Sequence, residues 1–134
     1  MKKHTQEKRI VKNSKQFWEF IRCLRNDSQV KKGFIEQKHI TKKEHKHFMK
    51  RYSDCFYVCL IGDEPVGYVG VIDKDIRVAT HPNFQGKGVG RFMIENISLN
   101  FPDSFAKIKI DNNASLNLFK SCGFREKYYI LERV

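Results

Sequence analysis

Two apolar runs, Cys55–Ile61 and Val66–Ile72, flank the turn-forming stretch Gly62-Asp63-Glu64-Pro65. Short apolar runs on either side of turn residues predict a β-hairpin. Asp75–Thr80 predicts a third strand, ending at His81-Pro82, and Lys8–Val11 a short one before them. Helical spacing occurs elsewhere. Phe17, Phe20/Ile21 and Leu24 share one face of a helix over Ser14–Leu24, which Arg25-Asn26-Asp27 interrupts. Val89, Phe92/Met93 and Ile97 do the same for a helix running to about Asn100. Thr41-Lys42-Lys43-Glu44 has the hydroxyl-to-carboxylate spacing of a capping box and starts a helix toward Tyr52. Asn112 and Asn113 cap a short helix that ends at Cys122-Gly123. Phe105–Ile110 alternates in the manner of a strand, and Phe124–Leu131 makes a last one. Pro65, Pro82 and Pro102 each fall at an element boundary. The expectation is an α/β (α+β mixed) fold: a twisted mixed sheet of about six strands flanked by about four helices.

Length adds that residues 1–134 form a single domain, with no linker, repeat or low-complexity tract. At 40% hydrophobic and 31% charged residues the chain is of the globular class. No apolar run approaches the ~20 residues of a membrane span. The basic N-terminus MKKHTQEKR is not followed by a signal-peptide core, so a cytoplasmic location without membrane partners is expected. Cys23, Cys55, Cys59 and Cys122 lack metal-site or redox spacing and are expected to be reduced core residues.

The formal net charge is +11. Such a chain can favour nucleic acid, an anionic cofactor or an acidic surface. The lysines are scattered, densest over Lys2–Lys15 and Lys31–Arg51, without an Arg-rich block, a zinc finger or an RNA-binding aromatic signature. Nucleic acid is therefore the less favoured reading, and an anionic cofactor or an acidic surface stays open.

The stretch THPNFQGKGVGRFMI, Thr80–Ile94, supplies a place for an anionic cofactor. A strand, a glycine turn and a helix N-terminus together direct free N–H groups and the helix dipole at an anion. The P-loop string G-x-x-x-x-G-K-[ST] does not occur, and Arg91 occupies the third glycine of the dinucleotide fingerprint that Gly86 and Gly88 begin. What fits is Q-x-x-G-x-G at Gln85, Gly88 and Gly90, preceded by Val78-Ala79-Thr80-His81-Pro82. A second signature follows in order: Asn112, Ser115, Phe119 and Gly123-Phe124.

Together these resemble the acetyl-CoA motifs of the GNAT N-acetyltransferase superfamily, well over Val66 to Phe124 and more loosely over the whole chain. The resemblance implies an acceptor-side segment over 1–54 and an acetyl-CoA-binding core over 55–134. It implies that backbone N–H groups of Gly86, Lys87, Gly88, Val89, Gly90 and Arg91 hold the pyrophosphate of acetyl-CoA, with Lys87 and Arg91 adding charge. A β-carbon at Gly88 or Gly90 would then intrude on the phosphates. Val78, Ala79 and Thr80 would pair with the pantetheine amides as an added strand does. Asn112 would cap the last helix and reach the pantetheine arm. No metal is implied.

The family's general base, counted back from Pro82, falls at Asp75, with Asp73 as its neighbour; both also read as turn residues. Many members carry a Tyr acid where Phe119 stands, and phenylalanine has no proton to give. Tyr128 or solvent is left for that role, or the thiolate leaves unaided. His39, His45 and His47 lack the supporting ligands of a metal site and read as exposed helix histidines, and Trp18 reads as core.

For the acceptor, Arg25-Asn26-Asp27, Val30, Phe34, Ile40 and Glu44-His45 resemble the N-terminal part of GNAT enzymes that acetylate amino groups on nucleotide-linked sugars. Packing of two helices is the other reading of those residues. The expected activity is transfer of an acetyl group to a primary amine of a small molecule, with an amino sugar as leading acceptor. A protein N-terminal or lysine acetyltransferase and an inactive CoA- or nucleic-acid-binding module are the alternatives. A homodimer is left open.

Overall fold

A computed structural model describes residues 7–134. Four strands form one antiparallel sheet in sequence order: β1 (Lys8–Lys12), β2 (Phe56–Ile61), β3 (Glu64–Ile72) and β4 (Asp75–Thr80). Five α-helices surround it: α1 (Trp18–Asn26), α2 (Ser28–Lys31), α3 (Lys42–Tyr52), α4 (Val89–Asn100) and α5 (Asn113–Ser121).

The sheet is buried on both faces, which is why β2 and β3 read as continuous apolar runs. One face packs Val69, Val71 and Ile76 against Val89, Met93, Ile94 and Ile97 of α4 and Phe119 of α5. The other packs Phe56, Val58, Tyr68 and Ile72 against Ile21 and Leu24 of α1 and Met49 of α3. A register shift between Cys59 and Leu60 bends β2. Asp73 and Lys74 both take positive φ (51° and 71°), so β3 and β4 are joined by the tight two-residue turn that matches strand twist.

The sheet is smaller than the pattern predicts. Phe105–Ile110 pairs its backbone with β4 only at its first residue, where Ile76 N–H donates to the Phe105 carbonyl and Phe105 N–H to that of Lys74, both at 2.8 Å. Past this parallel bridge the segment leaves the sheet, and Ile110 is 96% exposed. Phe124–Leu131 is not a strand either: no neighbouring strand supplies its ladder, and Tyr128, Tyr129, Ile130 and Leu131 are all exposed. Among the described residues the expected six strands are thus four, and the expected four helices are five. The extra helix is α2, a single turn capped by Asp27, whose carboxylate accepts from Gln29 N–H (2.9 Å) and Val30 N–H (3.3 Å).

The cysteines are free, but only Cys59 is fully buried; Cys23 is exposed and Cys55 and Cys122 lie between. Burial pushes the Cys59 thiol up to about 11, so it stays protonated at neutral pH. No described helix is long and apolar enough to cross a membrane.

Candidate acyl-donor and acceptor site

The site begins at the free edge of β4. His81 N–H donates inward to the Val66 carbonyl of β3, while Ile76 N–H donates outward to Phe105. Strand alternation therefore turns the amides of Val78 and Thr80 outward, beyond the Phe105 bridge, where no described residue pairs with them. The Thr80 side chain and the half-buried Val78 lie on the α4 face, whereas Asp75, Arg77 and buried Ala79 lie on the α1/α3 face.

The chain then enters a 3₁₀ turn, Pro82–Phe84, stapled by Asn83 N–H donating to His81 Nδ1 at 3.1 Å. Gln85, Gly86, Lys87 and Gly88 follow, all exposed. Gly86 (φ 77°) and Gly88 (φ 79°) are left-handed, which is why glycine stands at both. Gly88 is the N-cap of α4 and has no side chain to offer. By contrast, α2, α3 and α5 are capped by Asp27, Thr41 and Asn112. The first-turn amides of Val89, Gly90 and Arg91 are left for an external acceptor.

Within the chain itself the glycines have different neighbours. A β-carbon at Gly86 would meet nothing within 4 Å, and one at Gly88 only Lys8 Nζ, at 3.9 Å. At Gly90 it would lie 2.9 Å from Leu118 Cδ2 and 3.6 Å from Thr80 Oγ1. Gly90 thus lets α4 approach α5 and the end of β4.

Three cations surround this turn. Lys87 is exposed; Arg91 is engaged with Glu95 at 3.1 Å; Lys8 reaches over the turn from β1. Lys8 has no signal in the sequence, because only the packing of α4 across β1 brings it there.

Asn112 caps α5, its Oδ1 accepting from Ser115 N–H at 3.1 Å. Its Nδ2 donates to the Gly33 carbonyl at 3.2 Å, tying the segment after α2 to the start of α5. Phe119 is core, buried and edge-on to Phe124 at 5.1 Å. Tyr128 is 79% exposed, in the segment beyond the core. Asp75 accepts from Arg77 Nε at 3.3 Å and faces Lys107 Nζ at 4.0 Å. Its neighbour Asp73 is exposed in the β3–β4 turn.

On the α1/α3 face the residues Arg25, Asn26, Ile40 and Glu44-His45 converge. Asn26 brackets the backbone of Ile40, donating to its carbonyl and accepting from its N–H, both at 2.8 Å. Thr41 and Glu44 complete the capping box, and the bond from Thr41 N–H holds the Glu44 carboxyl down at about 2. His45 is not exposed as the pattern predicts: it is 3% exposed, 2.8 Å from the Trp18 carbonyl through Nε2 and 3.2 Å from Arg25 Nη1 through Nδ1. Burial, then the neighbouring Arg25, pushes it down to about 4, so it is neutral at pH 7. With Nε2–H donating to Trp18, Nδ1 is left as the acceptor for Arg25. Tyr68 is buried on the same face, and burial raises its hydroxyl to about 12. Among the described residues no three His, Cys, Asp or Glu side chains converge as a metal site.

A free strand edge, left-handed glycines and an uncapped helix N-terminus form a continuous surface suited to an extended ligand ending in phosphates. Comparison with known proteins gives the family and the fold. The acetyltransferase (GNAT) domain family matches residues 52–126. An uncharacterized N-acetyltransferase of Methanocaldococcus jannaschii is 28% identical over 100 residues, 61% of this chain but 44% of that protein's length. Among solved structures, a domain from the same organism superposes with a TM-score of 0.80 at 19% identity, covering 90% of each chain. The spermidine N-acetyltransferase of Vibrio cholerae, solved with CoA and spermine, gives 0.80 at 17% identity over 94% of this chain and 85% of that one. An aminoglycoside acetyltransferase from an uncultured soil sample, solved with trehalose, gives 0.66 at 18% identity and 95% of each. The chain belongs to the GNAT acetyltransferase family.

Proposed function

We propose that the protein transfers an acetyl group from acetyl-CoA to a primary amine of a small molecule, with a nucleotide-linked amino sugar as the leading acceptor. The observation that carries the donor half is the open edge of β4 at Val78 and Thr80, which runs without interruption into the uncapped start of α4. In this reading the Val78 and Thr80 backbone pairs with pantetheine amides, and the amides of Gly88 to Arg91 hold the pyrophosphate with Lys87 and Lys8 beside it. Gln85 and Ala79 shape the turn and the strand, and Asn112 holds the wall at Gly33.

Acetyl-CoA, when bound, supplies the activated thioester. This chain's residues orient the amine and remove its proton. An alkyl amine with a pKa of about 10 is protonated at neutral pH and must lose that proton to attack. Asp75 stands on the acceptor face and takes the proton through water. Phe119 is buried and gives no proton, so the thiolate is protonated by solvent.

The relatives named for spermidine and for aminoglycosides show that this fold accommodates amines of different classes. The amino-sugar reading rests on this chain's own Arg25, Asn26, Ile40 and His45, which form two hydrogen-bonded pairs, Arg25 with His45 and Asn26 with Ile40. Titration calorimetry with acetyl-CoA tests the donor half, and free-thiol release over amino sugars, polyamines and lysine peptides tests the acceptor. Release with lysine peptides alone would move the assignment to protein acetylation. Binding without release would make the chain a CoA-binding module.

A further inference from the structure

Arg25, in the last turn of α1, has no anionic partner among the described residues, and its surroundings hold it in place for one. Its guanidinium lies over the Phe48 ring, 4.6 Å from the centroid, and Nη1 is 3.2 Å from His45 Nδ1. That uses one of five N–H donors. The rest have no hydrogen-bond partner among the described residues. The side chain is half-buried, and the two groups whose charge reaches it are Tyr68 and Arg77, neither an anion at neutral pH. The acids on this side are engaged elsewhere, Glu19 with Arg22 at 2.6 Å and Asp75 with Arg77 at 3.3 Å.

A half-buried guanidinium without a counter-charge is costly, and stacking on an aromatic ring compensates only in part. Its planar fork suits two oxygens of one anion. Arg77 stands on the same face of β4, two residues before Ala79, which is paired with Tyr68, and is itself engaged with Asp75. The helix flanking this face is also basic: α3 carries Lys42, Lys43, Lys46, Lys50 and Arg51 against a single acid, Glu44, which is itself bound to Lys38 at 3.0 Å. A polycationic amine would meet repulsion here.

We propose that Arg25 is the anion anchor of the acceptor site, so that the acceptor carries phosphate or carboxylate oxygens as well as its amine. This rests on reading the α1/α3 face as the acceptor side of an acetyltransferase. His45 is a positioning residue: its neutral ring accepts from Arg25 and fixes the guanidinium.

The test is a titration of pyrophosphate, and separately of malonate, into CoA-saturated protein, comparing wild type with Arg25→Gln and Arg25→Lys. Saturable pyrophosphate binding that weakens roughly tenfold or more in Arg25→Gln, with CoA affinity unchanged, is the expected result. Arg25→Lys keeps the stem and charge but loses the fork, so an intermediate loss is expected; it also serves if the Gln variant does not fold. Preference between the two probes separates a phosphate from a carboxylate acceptor. Equal affinity in wild type and both variants, or no binding of either probe to wild type, overturns the anchor. If CoA itself does not bind, the acetyltransferase reading has failed instead, and the Arg25 dependence is then read from the CoA-free protein.

Discussion

The side-chain amide of Asn112 joins two distant parts of the chain: Oδ1 accepts from Ser115 N–H at the start of α5, and Nδ2 donates to the Gly33 carbonyl at 3.2 Å. Asn112→Ala removes a helix cap and this tie together. It is expected to lower stability by about 1–2 kcal/mol. Asn112→Asp keeps the acceptor and loses the donor, so it is expected to retain the cap and release Gly33. Hydrogen exchange over residues 28–34 reads the difference: faster exchange in both variants supports the tie, and exchange unchanged in Asn112→Asp removes it.

Gly88 and Gly90 are expected to fail in different ways. Gly88→Ala meets only Lys8 Nζ, at an ordinary 3.9 Å, but must hold a left-handed φ, at a cost of about 1–2 kcal/mol. Gly90→Asp puts a β-carbon 2.9 Å from Leu118 Cδ2 and a carboxylate beside the uncapped start of α4. It is expected to abolish CoA binding, and the Leu118 contact adds a loss of thermal stability. Calorimetry showing unchanged CoA affinity in Gly90→Asp would contradict the assignment of the turn.

Asp75→Asn is expected to lower turnover by roughly 10²-fold or more while leaving acetyl-CoA affinity unchanged, the signature of a base rather than a binding group. The same carboxylate also links Arg77 to Lys107 beside the Phe105 bridge. Wild-type turnover with a lowered melting temperature would assign Asp75 to that link alone.

The His45 ring gives the fold a pH dependence of known sign. Its pKa falls from an ordinary 6.5 to about 4 in the folded chain, chiefly through burial and then through Arg25. The unfolded chain therefore binds more protons in between, and this contribution to stability is present above about pH 6.5 and lost as pH falls toward 4. Denaturant melts from pH 7 to 4 are expected to show a steeper decline in wild type than in His45→Gln. Parallel curves would show that the ring has the same pKa in the folded and the unfolded chain.

Lys8 is expected to matter to CoA although nothing in its local sequence marks it. Its Nζ overlies Gly88, so Lys8→Ala should weaken CoA binding several-fold and reduce the salt dependence of that affinity. An unchanged salt dependence would place the ammonium outside the phosphate field.

Local patterns found most of the frame. The β2–β3 hairpin, β4, α3 with its capping box, and α4 and α5 were legible because each is specified by neighbours in the chain: turn residues, caps, and apolar spacing at periods of 2 or 3.6. Phe105–Ile110 and Phe124–Leu131 misled for the same reason. Alternation records β preference, but a strand exists only where another backbone completes its ladder, and past Phe105 none does.

By itself, then, the sequence determined the order of elements, the glycine turn before α4 and the membership that Gln85, Gly88, Gly90 and Asn112 announce. Tertiary structure decided what distance decides: that Gly90 abuts Leu118, that Lys8 overlies Gly88, and that His45 is buried and neutral against Arg25. These depend on which helix packs on which face of the sheet. Side-chain contact and desolvation act through space, and the spacing of residues along the chain carries no direct record of either.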